Sequence, residues 1–460
     1  MSKVLLVVYD NKSYIHCFPI GTGYIAAVLK NKGHQVDIYN QDVYHWDEDH
    51  LTNYIEKTNP DVIGLGIIGG YYQYKKLLKI SSAIKSSNWN GTYILGGPGV
   101  SPEPEYFLKK TGADYIVHGE AEDTIVDLID NLGNTSIQGT SCFSDGKFIK
   151  NKSRKLIDIN DLPFPAYELF PINYYALSRQ PGFAGTDRVM GMISSRGCPY
   201  RCNFCYRMDS GYRLRSTESI VSEIEYLKKT YDINAIEFLD ELLMCNSTRA
   251  YEISKELKKL NIKWVCNGRL NVASRSQDLL DFMKSAGCQF INYGIESVDD
   301  KCLEIMGKKL TVEQIIKGIE HTNNADIIPG LNIIWGNIGE GTKQLKKDVK
   351  FLKKYNKGGQ FRTIRPVTPY PGSELYNIAI EKGLLEGPED FYERKHLNSD
   401  LLTKGVNFTS LSDKKMYKEL KKANCELIKD YYKKKQKDVL TQCKNLYDNQ
   451  DVNFRGFRQD

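Results

Sequence analysis

Short apolar runs alternate with longer amphipathic runs along most of this chain, in two separate series. In the first series, over residues 3–133, the strand-like runs are VLLVVYD, QVDIYN, PDVIGLGII, TYILGGP and YIVHGE. Parallel strands need a crossover connection, usually a helix, so this alternation favours an α/β fold. We therefore predict an open, doubly wound parallel sheet of Rossmann-like layout in the N-terminal part of the chain.

Glycines follow the strand-like runs of this first series. In such sheets a ligand binds beyond the carboxyl ends of the strands, where glycine lets the backbone approach it closely. The alternative is that each glycine only ends its strand and contacts no ligand. The glycines that we take as candidate ligand contacts are Gly21, Gly23, Gly69, Gly70, Gly96, Gly97 and Gly119.

A second series begins at Val189 and contains further strand-like runs separated by helical stretches. They are VMGMISS, AIEFLD, IKWVCNG, QFINYGIES, GLNIIWG and FRTIRPVT. This series predicts a partial (β/α)6 barrel of the TIM type, with its chemistry at the carboxyl ends of the strands.

Changes in pattern set the expected domain boundaries. We expect the doubly wound sheet over 1–140, a linker with a hairpin over 141–186, the barrel over 187–405 and a basic helical C-terminal region over 406–460. The hairpin is expected around Asp145 and Gly146, a favoured turn pair. In the last region Leu420, Leu427 and Tyr431 are spaced to form an apolar stripe against the barrel.

Composition limits where the chain can work and what it can bind. No apolar run approaches the length that crosses a bilayer, and MSKVLLVVYD reads as a first strand, not a signal peptide. We expect a cytoplasmic protein whose eleven cysteines stay reduced. The net charge of +6 is mild for 460 residues and does not argue for a nucleic-acid or membrane partner.

The segment SSRGCPYRCNFCYRM places three cysteines, Cys198, Cys202 and Cys205, on one loop after the first barrel strand. The alternative is a structural zinc site, but zinc usually takes four ligands and no fourth Cys or His stands close by in sequence. Three thiolates from one loop suit a 4Fe–4S cluster with one iron left open for a small molecule.

With the spacing CxxxCxxC, and Phe204 before the third cysteine, the chain resembles the radical S-adenosylmethionine (SAM) superfamily over roughly residues 187–400. The resemblance implies that SAM binds the open iron. An electron from the reduced cluster then splits SAM into methionine and a 5′-deoxyadenosyl radical, which takes a hydrogen atom from a substrate carbon.

The resemblance also suggests SAM contacts at the ends of the barrel strands. Asp240 and Glu241 stand where the family contacts the SAM amino group, although the family's Gly-Gly-Glu form is absent. Asn267 and Arg269 are placed for the ribose or carboxylate, Glu296 matches an acidic family position, and Tyr206 follows the third cysteine. The alternative for each is a polar residue that caps a strand end or forms a salt bridge within the barrel.

The N-terminal domain resembles the cobalamin-binding domain of one large radical SAM class, through GTGYIAAVLKNKGHQVDIYN, PDVIGLGIIGG and ILGGPGVSPEPEYF. Some cobalamin proteins ligate cobalt with a histidine from an Asp-x-His-x-x-Gly loop. Here Lys12 stands at that position, and His16 is interpreted as a loop histidine. The resemblance therefore implies cobalamin without a protein histidine ligand, and the missing motif leaves open that no cobalamin binds.

Related methylthiotransferases need three N-terminal cysteines for a second cluster, and only Cys17 and Cys142 precede Cys198. The favoured function is a cobalamin-dependent radical SAM methylase that acts on an unactivated carbon of a small molecule. The alternatives are a radical cyclisation, rearrangement or oxidation with the same cofactors, and a non-catalytic iron–sulfur or cobalamin carrier or sensor. The expected partners are a small-molecule substrate and an electron donor such as a flavodoxin or ferredoxin.

Overall fold

The structure is a computed structural model that describes residues 1–12, 17–177, 181–208, 211–357, 360–396 and 404–450. Its N-terminal part is a seven-stranded sheet with strand order β2-β1-β3-β4-β5-β6-β7. The strands are β1 (Lys3–Val8), β2 (Gln35–Asn40), β3 (Val62–Gly66), β4 (Thr92–Gly96), β5 (Tyr115–Val117), β6 (Thr140–Ser144) and β7 (Lys147–Lys150). The first five in this order are parallel, which confirms the predicted doubly wound sheet.

Helices cover both faces of this sheet, so its central strands are apolar on both sides. The helices are α1 (Ile20–Asn31), α2 (Gln41–Tyr44), α3 (Glu48–Thr58), α4 (Tyr71–Ser86), α5 (Pro104–Thr111) and α6 (Glu122–Asp130). Local signals set their ends. For example, the Asp47 side chain accepts the backbone N–H of His50 at the start of α3, and left-handed Asn59 ends that helix.

The predicted hairpin forms, with Asp145 and Gly146 at positive φ in its turn. It extends the sheet instead of lying in a linker, because β6 pairs antiparallel with β5. The apolar side chains of Cys142 and Ile149 give it a face that packs on the first domain's core.

The second part is an open six-stranded parallel barrel sheet with strand order β15-β14-β13-β12-β11-β8. A short antiparallel ribbon of β9 and β10 follows its first strand. The strands are β8 (Val189–Met192), β9 (Ser195–Gly197), β10 (Tyr212–Leu214), β11 (Ala235–Phe238), β12 (Lys263–Gly268), β13 (Cys288–Glu296), β14 (Ile328–Trp335) and β15 (Arg365–Pro366). The partial barrel is therefore confirmed, while β15 is much shorter than the run FRTIRPVT suggested.

Helices pack on the outer face of the barrel sheet, and a large apolar core fills the space between them. They are α7 (Ile172–Tyr175), α8 (Thr217–Tyr231), α9 (Ser247–Leu260), α10 (Leu270–Ala273), α11 (Gln277–Ser285), α12 (Asp300–Ile305), α13 (Val312–Asn324) and α14 (Thr342–Tyr355). Two more helices follow, α15 (Glu374–Glu381) and α16 (Asp413–Asp448). None of the helices in the described ranges combines the length and apolar character that a bilayer crossing needs.

The segment after β15 returns to the first domain. Helix α15 and a π-helical turn, Asp390–Lys395, bury Tyr376, Phe391 and Tyr392 in the core of the N-terminal sheet. The long helix α16 then packs on α14 through Met416, Leu420, Ala423 and Leu427. Tyr431 of the predicted stripe is half-buried, with its ring edge-on to Phe361 at 5.3 Å.

Candidate active site

The three predicted cysteines follow β9 on one loop at the carboxyl end of the first barrel strand. Cys198 and Cys202 are partly exposed and Cys205 is exposed. The loop is fixed at its centre by Asn203, whose backbone N–H donates to Met306 O at 2.9 Å and whose O accepts from Leu375 N at 2.8 Å. Its side-chain oxygen accepts from Asn337 Nδ2 at 3.0 Å. The thiols are thus presented from a rigid backbone.

The surroundings of this loop favour the thiolate form of Cys202, whereas the pKa of Cys205 is raised by its hydrogen bond to Cys202 and by burial. The pKa of Cys202 is lowered to about 6 by a hydrogen bond from the Cys205 thiol, helped by the positive charges of Lys308 and Arg269. Burial raises the pKa of the Cys198 thiol. Metal-bound cysteine is the thiolate, so two cations beside the loop suit a thiolate-bound group.

Within the described ranges, no three His, Cys, Asp or Glu side chains stand close enough together to hold a single metal ion. An iron–sulfur cluster has a different requirement, because each thiolate binds a different iron atom and the ligands are spread over a wider site. Three partly exposed thiols on one loop beside two cations fit that requirement.

Asp240, a predicted SAM contact, uses its carboxylate for hydrogen bonds within the protein. Its side chain is 1% exposed. Oδ1 accepts the backbone N–H groups of Ser194 and Ser195 at 2.6 and 3.0 Å, and Oδ2 accepts the Ser194 hydroxyl. Burial raises its pKa to about 6. Asp240 therefore holds the backbone that leads into the cysteine loop, and its role as a SAM contact stays a prediction.

Its neighbour Glu241 points the other way. Its side chain is exposed and lines the cavity between the domains, where Oε2 accepts the backbone N–H of Gly197 at 3.0 Å. The second carboxylate oxygen remains available to a ligand beside the cysteine loop. Of the two acidic candidates, Glu241 has the exposure that a SAM contact needs.

Asn267 and Arg269 lie at the end of β12 in different surroundings. Asn267 is half-buried and donates from Nδ2 to the backbone oxygen of Asp240 at 2.7 Å. Arg269 is buried and donates to the backbone oxygens of Lys308 and Lys309, with its guanidinium carbon 3.3 Å from the centroid of the Tyr200 ring. Arg269 thus links Tyr200 in the cysteine loop to the backbone at Lys308 and Lys309.

Glu296 ends β13 with a left-handed backbone, φ +68°, and forms an ion pair with Lys308 at 3.1 Å. A non-glycine residue in this region is strained, which is often found at functional sites. Tyr206 packs against the backbone of Gly372, where a Cβ would lie 2.5 Å from the tyrosine ring. Glu296 therefore pairs with the cation beside the cysteine loop, and Tyr206 joins the end of that loop to the segment that contains Gly372.

A cavity of about 870 Å³ lies between the two domains. Its walls come from the carboxyl ends of the N-terminal strands on one side and from the ribbon, cysteine loop and Glu241 on the other. This position matches the expected ligand site of a doubly wound sheet, and its volume is at the upper end for small-molecule sites.

The predicted glycines divide into two groups. Gly21, Gly96, Gly97 and Gly119 line the cavity, whereas Gly23, Gly69 and Gly70 are absent from its wall. A Cβ on Gly23 would lie 2.9 Å from Pro165 Cβ and 3.0 Å from Phe18 Cζ, so its small size serves packing. At Gly70 a Cβ would meet the side chain of Gln73.

The cavity wall suits a large flat ligand that approaches the backbone. At Gly21 and Gly66 a Cβ would meet no protein atom within 4 Å and would project into open space. Histidine is absent from the described part of the wall, and His16 lies outside the described residues. These features fit cobalamin held by backbone and apolar contacts without a histidine from the described segments.

Ion pairs connect the two domains beside this cavity. Arg213 on β10 forms a two-pronged ion pair with Glu120, which follows β5. Arg196 on β9 donates to Glu122 at 2.5 Å and lies 3.4 Å from Glu120. Because Arg196 precedes Cys198 by two residues, these pairs fix the cysteine loop relative to the N-terminal domain.

Sequence reasoning missed several residues of this site. Lys308 follows a glycine on a loop with no motif of its own. Asn337 and Glu340 lie in WGNIGE after β14, where Glu340 Oε2 accepts the N–H groups of Gly336 and Asn337 at 2.8 and 2.9 Å. In the sequence, Glu340 stands four residues after Gly336 at the end of β14, and this spacing was the pattern that could have predicted the buried turn.

Comparison with known proteins supports the same two-part arrangement. The radical SAM superfamily profile matches residues 192–352, and the B12 binding domain profile matches residues 7–129. An uncharacterized methyltransferase of Pyrococcus horikoshii, PH0819, is 30% identical over 427 residues, which cover 89% of each chain. The anaerobic magnesium-protoporphyrin IX monomethyl ester cyclase of Rubrivivax gelatinosus is 25% identical over 382 residues, 79% of this chain and 66% of that protein.

Among solved structures, the chain is similar to the cobalamin-dependent SAM radical enzyme OxsB with aqua-cobalamin bound. The TM-score is 0.65 at 21% identity, over 82% of this chain and 55% of that one. The chain therefore spans little more than half the length of OxsB, and the likeness shows a shared fold.

Proposed function

This chain belongs to the radical SAM superfamily, in the class that carries an N-terminal cobalamin-binding domain, and from that premise we propose that it methylates carbon. It is an enzyme whose cofactors are a 4Fe–4S cluster, SAM and cobalamin. The observation that carries the proposal is a cavity lined on one side by the glycine-bearing strand ends and on the other by residues that flank the three cysteines, Gly197 before them and Arg207 after them. A methyl carrier in that cavity would face the site where the radical forms.

In this proposal Cys198, Cys202 and Cys205 bind three irons of the cluster and leave the fourth for SAM. Glu241, which is exposed beside the loop, accepts hydrogen bonds from the SAM amino group. Asn267 and Glu296 border the SAM site at the ends of β12 and β13. Arg269 and Tyr206 act as positioning residues, because Arg269 stacks on Tyr200 of the loop and Tyr206, at the end of the loop, packs against Gly372.

When bound, the cluster and SAM supply a 5′-deoxyadenosyl radical, and cobalamin supplies a methyl group. The chain's own work is to orient these groups and exclude water. Asp240 fixes the backbone before the cysteines, and the Arg196 and Arg213 ion pairs fix the distance between the domains. The apolar cavity wall of Ile67, Leu95 and Val117 keeps water from the reacting centre.

Mass spectrometry of SAM products tests this proposal. Anaerobically reconstituted enzyme with hydroxocobalamin and a reductant is incubated with SAM labelled on its methyl group and a small-molecule extract of the source cells. We expect both 5′-deoxyadenosine and a labelled product. Enzyme with an intact cluster that forms no deoxyadenosine would refute the radical proposal, and failure to retain hydroxocobalamin would refute the role of the cavity.

The second candidate is a radical cyclisation with the same cofactors, favoured by the 25% identity to the magnesium-protoporphyrin ester cyclase. The same experiment separates the two. A cyclase forms deoxyadenosine and changes the substrate, but it leaves the labelled methyl group on SAM and its by-products. The higher identity and coverage of PH0819 favour methylation.

Cys202→Ala should abolish the cluster, because it removes the thiol beside the two cations. Iron content and electron paramagnetic resonance of the reduced protein measure the loss. Cys425→Ala is the matched control, since Cys425 is exposed on α16 far along the chain from the loop. A Cys202→Ala protein that keeps its iron and still cleaves SAM would contradict the ligand assignment.

Radical SAM enzymes act on a substrate and need a reductant. We propose a small-molecule substrate and a flavodoxin or ferredoxin as the electron donor. A cytoplasmic location agrees with eleven cysteines that are all unpaired in the structure.

A further inference from the structure

A ladder of polar side chains crosses the inner face of the barrel. Asn292 Nδ2 donates to Asn267 Oδ1 at 3.0 Å, and Asn332 Nδ2 donates to Asn292 Oδ1 at 2.7 Å. The ladder ends at Arg362, whose Nη1 donates to Asn332 Oδ1 at 2.7 Å. The alternate residues of β14, Leu331 and Ile333, are buried against the outer helices, so the ladder faces the barrel interior.

The position of Arg362 is fixed from two sides. On the outside, Asn424 of α16 pairs with the backbone of Ile364, with hydrogen bonds of 2.8 and 3.0 Å. On the inside, Gly330 makes room, because a Cβ there would lie 2.5 Å from Asn292 Oδ1 and 3.0 Å from Arg362 Nη2. The guanidinium is therefore held in one place within the barrel.

The Arg362 side chain is half-buried, and within the described residues its Nη1 donates to Asn332 while no ion pair joins it to a carboxylate. Its Nε is buried without a hydrogen-bond partner. Burial, and then the nearby charge of Arg365, lower the pKa of Arg362 to about 10. A buried N–H without a partner on a cation without an opposite charge is costly, so an anion would complete the site.

We propose that Arg362 binds an anionic oxygen group of the substrate, a carboxylate or a phosphate, inside the barrel. Guanidinium binds both groups with paired hydrogen bonds, and Asn332 orients it. The inference rests on the proposed function for the identity of the ligand as substrate. Asn332, which the guanidinium contacts, pairs with Gly294, two residues before Glu296 on β13, so the anion would bind roughly 7 Å below the strand end.

The carboxylate of SAM is another source of the same chemistry. The proposed SAM site lies at the cysteine loop and borders Asn267, the first member of the ladder, whereas Arg362 lies at the opposite end of the ladder, beyond Asn292 and Asn332. A separate arm of the experiment distinguishes these two sources.

The test is calorimetric titration of the reconstituted enzyme with inorganic phosphate, with succinate and with SAM. We expect the parent to bind at least one of the two anions. Arg362→Gln should weaken that binding tenfold or more, while Arg362→Lys retains part of it and Gly330→Ala weakens it without a change of charge. Arg394→Gln, which breaks the exposed Arg394–Glu386 pair, is the matched control and should leave it unchanged.

Absence of anion binding by the parent, or equal binding by Arg362→Gln, would overturn the inference. So would competition between SAM and the anion together with an equal loss of SAM affinity in Arg362→Gln, because Arg362 would then hold the SAM carboxylate. Deoxyadenosine formation by the parent is measured separately. Its absence would count against the proposed function and not against this binding site.

Discussion

At the scale of single residues, the adjacent acids Asp240 and Glu241 differ in their surroundings, because Asp240 is buried against the backbone and Glu241 is exposed beside the cysteine loop. Asp240→Ala would leave two backbone N–H groups and one hydroxyl without their acceptor. Each buried unsatisfied group costs about 1–3 kcal/mol, and partial relaxation would reduce the sum, so we expect a loss of about 2–4 kcal/mol. Urea unfolding of the apoprotein measures it.

Glu241→Gln should do the reverse. Its amide oxygen can still accept the Gly197 N–H, so stability should change by less than about 0.5 kcal/mol. Loss of the charge should weaken SAM binding about tenfold, or roughly 1.4 kcal/mol. Equal SAM affinity in Glu241→Gln and the parent would remove Glu241 from the site.

Glu340 makes stability depend on pH. Burial raises the pKa of this carboxyl from 4.5 to about 7. Its contribution to stability is therefore fully present below about pH 4.5 and is lost as the pH rises through about 7. Glu340→Gln should be more stable than the parent at pH 8, by up to about 3 kcal/mol, and nearly equal to it at pH 4.5.

Urea unfolding at several pH values tests this expectation. Glu313→Gln is the matched control, because Glu313 is exposed in the first turn of α13. A Glu340→Gln protein with the same pH profile as the parent would contradict it.

At the scale of elements, an irregularity at the end of β13 sets the direction of a side chain beside the cysteine loop. The register between β13 and β14 shifts between Gly294 and Glu296. Such a bulge re-aims the side chain that follows it. Here it points Glu296 at Lys308, the cation beside the cysteine loop.

Helix α16 spans 36 residues, but only its first half packs on the barrel. Leu420 is 6% exposed, so Leu420→Ala should cost about 2–4 kcal/mol of unfolding free energy through lost burial and a cavity. Leu440 is 53% exposed in the second half, and Leu440→Ala should change stability by less than about 0.5 kcal/mol. Equal effects of the two substitutions in urea unfolding would show that the packing differs from this description.

At the scale of the whole molecule, two features hold the domains in one arrangement. One is the return of residues 374–396 to the N-terminal core, where Tyr392 Oη donates to the backbone oxygen of Gly99 at 3.3 Å. The other is the group of ion pairs beside the cavity. Both act on the distance between the wall of the cavity formed by the N-terminal strands and the cysteine loop.

The Arg213–Glu120 pair should therefore control cobalamin affinity. Arg213→Gln and Glu120→Gln should each weaken hydroxocobalamin binding several-fold, and the double variant should be no weaker than the worse single variant, because one shared interaction is lost. Lys109→Gln, which breaks the exposed Lys109–Glu105 pair, is the control. Additive losses in the double variant would show that the two residues act independently.

The sequence alone determined the secondary structure pattern, the two sheets and the cysteine loop. Those properties depend on local periodicity and on spacing within short segments, which a linear sequence displays directly. The division between Asp240 and Glu241, the place of Lys308 and the polar ladder that ends at Arg362 were decided only by the tertiary structure. Each depends on which segments, far apart in sequence, meet at one strand end, and on which of two adjacent side chains faces solvent. Local patterns carry no record of those contacts, because they arise when the helices and strands pack.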